Sequence, residues 1–148
     1  QIIRSAIEQI SKDDAENTAK SIVESSLMGC VIAFQRFCEV LFVKRFPDVK
    51  LKNNAFQNLE IGGDLWRVNC GQSYKNWISQ EEYSELHILF QKRHLLSHKE
   101  GIVDQSYLDK SGDSNYKLGQ RIVVKENDAI ELVNYIKILT NEIRNKVE

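Results

Sequence analysis

Between Asp13 and Arg45 the apolar residues Val23, Leu27, Cys30, Phe34, Phe37 and Leu41 recur in steps of four and three, and Met28, Val31, Cys38 and Phe42 widen the stripe. Steps of that length put side chains on one face of an α-helix. So wide a stripe needs apolar partners on several sides, and it predicts a central helix with others packed around it. The helix should stop near Arg45-Phe46-Pro47, because Pro47 has no amide proton and pushes its predecessor out of helical geometry. Residues 2 to 10 read as a separate, short opening helix.

Further helices follow from local signals. Asn54 and Gln57 stand at capping-box spacing and open a third helix, kinked at Gly62-Gly63. Ser79 and Glu82 repeat the spacing and open a fourth, which Gly101 stops by accepting a left-handed backbone, with Ile102 supplying the apolar contact that accompanies such an end. A polar loop rich in Asp, Ser and Gly comes next, with Asp104, Asp109 and Asp113 as turn and cap residues. The run Gln120 to Lys125 then reads as a short extended insert or half a hairpin. From about Asn127 a last helix repeats Ala129, Leu132, Ile136, Leu139 and Ile143, with acids in its first turn and Arg144 and Lys146 in its last. The expectation is a single domain over residues 1–148, an all-α bundle of about five helices with that insert before the last.

Composition narrows the function. Twenty Lys and Arg against 21 Asp and Glu give a formal charge of -1, so any contact with nucleic acid has to be local. Cys30, Cys38 and Cys70 form no CxxC pair, and two of them lie in the apolar stripe, as core thiols of a reducing, cytoplasmic compartment would. The richest apolar run, Leu27 to Val43, is interrupted by Gln35, Arg36 and Glu39, and no segment is expected to span a membrane. The chain begins with Gln rather than Met, as expected of a domain from a longer protein. Trp66, Tyr74 and Trp77 have no clustered cations around them and read as core or loop anchors rather than base-stacking platforms.

The fourth helix is the unusual one. Projected on a wheel, Leu86, Leu89, Phe90 and Leu96 occupy an arc of about 120°, and Arg93 falls near its middle. His87, Gln91, His94 and His98 line one edge of the arc. A guanidinium stays charged, so burying it is costly unless carboxylates, carbonyls or a phosphate use its donors. Either its head snorkels to water or to an acid on a neighbouring helix, or the arc floors a cleft or subunit interface where an anion binds.

Three chemistries compete for the imidazoles. His94 and His98, one turn apart, have metal-ligand spacing, but Leu95 stands where an HExxH hydrolase has Glu. A nucleophilic triad lacks its GxSxG elbow. Metal-independent acid-base chemistry on an RNA phosphodiester needs only an imidazole titrating near neutrality and a cationic clamp, because the 2′-hydroxyl is the nucleophile.

The string Arg93-His94-Leu95-Leu96-Ser97-His98, near the end of a helix in an all-α chain, resembles the Arg-x4-His signature of the HEPN superfamily. The downstream stretches GIVDQSYLDKSGD and LGQRIVV are similar to the continuation in one bacterial group of these domains. The resemblance implies a homodimer whose motifs meet in one cleft, acting as an endoribonuclease without cofactor or metal, in a toxin-antitoxin or anti-phage setting. By position, Arg93 would polarise the scissile phosphate, His98 would be general base or acid, and His94 would orient the pair. Lys92 and Lys99 would contact RNA, and an antitoxin or neighbouring domain would regulate the site. Arg93 and His98 lie about 140° apart on one helix, so a two-fold mate should supply the second half of the site, with the apolar arc as interface. The alternative is a non-catalytic dimerisation or nucleotide-sensing module; a small zinc-binding helical protein using His87, His94 and His98 is a third.

Overall fold

A computed structural model describes residues 1–148 as an all-α bundle of six helices with no strand. Helix α1 (Ile2–Arg45) is one continuous rod of 44 residues. The separate opening helix does not exist: Ser11 and Asp13 look like cap signals, but no Gly or Pro breaks the chain there, and good helix formers stand on both sides. The rod's second half is the centre of the bundle, burying Leu27, Val31, Phe34, Cys38 and Phe42. From Ile2 to Ile22 every residue of it is exposed.

By length and composition α1 could also cross a membrane, carrying an 18-residue window of mean hydropathy 1.6. This corrects the expectation that no segment would qualify. A third of that window is buried inside the bundle (33%), where the apolar stripe serves as core.

After Pro47 the chain makes a single 3-10 turn, Ala55–Gln57, and then α2 (Leu59–Cys70). The Asn54–Gln57 cap does not form. Asn54 sits at φ +60 without a capping bond, whereas the Asn58 side chain accepts from the Ile61 amide at 3.0 Å and starts the helix. Nor does α2 break at its glycines. Gly62 is there for close approach, since a Cβ would lie 3.0 Å from both Phe56 Cδ1 and the Tyr74 hydroxyl. Gly62→Ala should therefore destabilise the chain by about 1–3 kcal/mol, read as a lower urea midpoint at unchanged slope.

A one-turn helix, α3 (Tyr74–Trp77), leads into α4 (Gln80–His98). Here the capping box forms as expected: Glu82 N donates to Ser79 Oγ at 3.1 Å, and Ser79 N to Glu82 Oε1 at 2.9 Å. At the far end Gly101, at φ +77, lets its amide reach the Leu95 carbonyl at 3.0 Å. Ile102, expected to supply the apolar contact at that end, is 41% exposed.

The polar loop contains a helix, α5 (Gln105–Ser111), capped by Asp104, which accepts from the Tyr107 amide at 2.8 Å. Asp113 ends this segment by accepting from the buried Tyr107 hydroxyl at 2.7 Å. The extended insert pairs only once, through the bridge Ile102–Arg121. It alternates like a strand, with Ile122 and Val124 buried and Val123 exposed. No neighbouring strand meets it; the Tyr116 hydroxyl bonds the Val123 amide (3.0 Å) and carbonyl (3.3 Å) instead.

Helix α6 (Glu126–Val147) buries Leu132, Tyr135, Leu139, Ile143 and Val147 against α1 and α4, and Tyr135 hydrogen-bonds Glu85 of α4. All three cysteines are free. Burial pushes the Cys38 thiol pKa up, which makes it an inert apolar filler beside Trp66 and Tyr74. Trp66 and Tyr74 are core residues, as their lack of surrounding cations implies.

Candidate functional site

Helix α4 positions the site. Leu86, Leu89 and Phe90 are 0–3% exposed, so the arc around Arg93 is the core of one chain and not an interface between two. That corrects the sequence expectation. Arg93 lies within this core at 7% exposure.

Its partners are few. Arg93 Nη1 donates to Gln57 Oε1 at a long 3.4 Å, its Nε has no acceptor, and it makes no ion pair with a carboxylate. A charge-assisted bond is normally about 2.7–2.9 Å, so the Gln57 contact is weak. Burial lowers the Arg93 pKa from its ordinary range, yet a guanidinium remains charged at neutral pH. The helix therefore carries a buried cation with unused donors.

His94 and His98 stand on the exposed flank of the same helix end, one turn apart, with ring centroids 4.8 Å from each other at 51°. Burial, then His98, Lys110 and Arg93, lower the His94 pKa below 6.5, with Asp104 opposing. Its imidazole is thus neutral at pH 7 and able to accept a proton. Neither imidazole hydrogen-bonds Arg93, whose one partner is Gln57.

The remaining expected residues divide. Lys99 is exposed at the C-cap of α4, beside the imidazoles in sequence. Lys92, expected at an RNA surface, turns elsewhere: its amine lies 3.5 Å from Asp128 at the start of α6 and 5.9 Å from the Tyr116 ring centre, with the side chain 11% exposed. His87 belongs to a different surface. It stacks on Tyr83, sits 3.5 Å from Glu60 and lines a polar groove of about 600 Å³ shared with Lys75 and Lys110. No three His, Cys, Asp or Glu side chains converge at metal-ligand distances.

Two residues of the site escaped the sequence reading. Gln57 had been given a capping role, and its contact with Arg93 spans 36 positions, beyond any local pattern. Lys110 belongs to α5, which Asp104 three residues before Tyr107, and Gly112 after Ser111, would have marked as a capped helix.

Both His87 and His94 resist protonation in the fold, so their folded pKa values lie below the unfolded one. Their contribution to stability is complete above the unfolded value near 6.5 and is lost as pH falls through the depressed folded values. Urea midpoints should fall as the pH drops below 6.5, and His94→Gln should flatten that dependence. An unchanged slope against pH in the variant would remove His94 from the account.

Comparison of the chain with protein-family models, with curated proteins and with solved structures gave no match.

Proposed function

We propose that the chain is a metal-independent endoribonuclease of HEPN type, working as a homodimer. The observation that carries this reading is Arg93: a guanidinium at 7% exposure with an unpartnered Nε, no carboxylate and only a long bond to a neutral amide. Such a group has donors left for an anionic oxygen, and a phosphodiester supplies one. His94 and His98 lie on the same helix end and offer the proton transfers. The 2′-hydroxyl would attack phosphorus as an imidazole takes its proton. The P–O5′ bond breaks, and a protonated imidazole returns a proton to the departing oxygen. The products are a 2′,3′-cyclic phosphate and a 5′-hydroxyl. Lys99 and Lys110, exposed cations near the imidazoles, would hold the strand. A cytoplasmic defence or toxin-antitoxin setting, with an antitoxin or adjoining domain restraining the site, accords with this activity.

The test uses the intact chain and single-stranded RNA in EDTA. Wild type should release cyclic-phosphate ends, and His98→Ala, an exposed change, should slow release by about 10²–10⁴-fold. Equal cleavage by both proteins, or none by either, would sink the proposal. Binding should also weaken as salt rises, with a slope reduced in Lys99→Ala.

A second reading has its own observation: Arg93 bonds Gln57 and reaches neither imidazole within one chain. On that reading the chain is a non-catalytic dimerisation or nucleotide-sensing module and Arg93 is structural.

A further inference from the structure

Rings line one edge of α4 from end to end. Tyr83, His87, His94 and His98 fall within about 60° of one another on the helix wheel, in a strip about 22 Å long. At its far end stands the imidazole pair. Its near end opens into the polar groove of about 600 Å³ between α2, α3 and α4, which Lys110 of α5 closes on one side. Burial is the main cause of the depressed pKa of both His87 and His94, and Lys110 adds to it at each, against Glu60 at the first and Asp104 at the second. The Lys110 amine is therefore within electrostatic reach of both ends of the strip.

The groove has a fixed wall and unspent charge. Ser73 Oγ donates to the Gly63 carbonyl at 2.7 Å, which clamps α3 to α2 and holds the segment that carries Lys75. The groove's carboxylates are engaged: Asp64 pairs with Arg67 at 3.0 Å, and Glu60 lies 3.5 Å from His87. Lys75 and Lys110 pair with no carboxylate. Lys75 rests its amine 4.9 Å from the centre of the Tyr83 ring, whose plane is stacked on His87. In a chain of formal charge -1, this groove combines a local excess of cations with aromatic faces. Those are the two things a single strand of nucleic acid needs, amines for its phosphates and rings for its bases.

We infer that the groove seats an RNA nucleotide flanking the scissile bond, with Lys75 and Lys110 on its phosphate and Tyr83 under its base. The inference rests on the ribonuclease reading for the bond that is cut, and it names the substrate as a single strand laid along α4, its bases free to stack. His87 lies about 10 Å along the axis from His94, so the seated nucleotide is close in sequence to that bond. As Lys75 turns to the phosphate, it uncovers the Tyr83 face on which the base lies.

Fluorescence anisotropy of the full chain with a labelled, fully 2′-O-methylated single strand tests it, because that strand lacks the nucleophile and reports seating alone. Tyr83→Leu keeps the apolar bulk and removes the ring; it should weaken binding by about 5–150-fold, the usual worth of one base stack. Lys75→Gln, at an exposed position, should weaken binding and reduce the salt slope by about 0.7. Lys20→Gln, an equal loss of charge on the exposed half of α1, should leave affinity and slope as in wild type. No binding by wild type, or wild-type binding in both groove variants, would overturn the inference. Binding of adenosine 5′-monophosphate that depends on Lys75, without binding of the strand, would overturn it in favour of a mononucleotide site. Cleavage of unmethylated RNA is scored separately: strand binding that needs Lys75 and Tyr83 without any cleavage supports the groove and sinks the ribonuclease reading alone.

Discussion

Trp66→Ala is expected to destabilise the chain by about 3–5 kcal/mol, a large share of the roughly 5–15 kcal/mol that holds a domain folded. The indole is 0% exposed and sits at the meeting point of three elements. Its ring lies edge-on to Phe42 of α1 at 5.2 Å and tilted against Phe56 of the 3-10 turn at 5.5 Å, while Phe42 also touches Phe56 at 5.6 Å. Truncation removes two aromatic pairs and leaves a void that rigid helices on either side cannot close. Trp66→Phe should cost far less. The indole N–H has only the Cys38 sulfur and the Tyr74 hydroxyl near it and makes no well-formed hydrogen bond, so its loss forfeits little. Urea unfolding of the two variants gives the comparison; equal costs would mean that the nitrogen, not the ring volume, matters.

Arg93→Met should separate function from stability. Cleavage of RNA is expected to fall by about 10²–10³-fold, the usual loss when a preorganised donor to the transition-state oxyanion is removed. At the same time the folded chain should gain about 1–3 kcal/mol, because a charge without a counterion leaves a core formed by Leu86, Leu89 and Phe90. Gln57 is only half-buried and can turn to water when its partner goes. Opposite movements in the two measurements are the signature of a residue kept for its chemistry. Loss of stability would identify Arg93 as structural and favour the non-catalytic module; full cleavage at unchanged rate would remove it from the site.

These expectations rest on different parts of the sequence signal. The stop at Pro47, the Ser79–Glu82 box, Gly101 with its left-handed backbone and the three-four repeat of α6 were readable because each is a contact within one helical turn. One cap signal misled: the spacing of Asn54 and Gln57 was read as the start of a helix that Asn58 in fact opens. Asn54 and Asn58 both suit an N-cap, and only the packing of Phe56 and Leu59 into the core makes Asn58 the one. Likewise the strand-like alternation of Ile122 to Val124 is real, but whether it pairs depends on a neighbour, and Tyr116 occupies that place.

The site divides the same way. The sequence by itself determined that an Arg sits inside an apolar arc of a helix with two imidazoles at its edge, since the helical period alone fixes those bearings. Only the tertiary structure decided that the arc is core, that Gln57 is the sole companion of Arg93, and that Lys92 is held by Asp128. It also decided that the first half of α1 stands clear of the bundle. The physical reason is range: periodicity and capping register neighbours three or four positions apart, whereas Gln57 meets Arg93 across 36 residues and Glu24 meets Arg121 across 97.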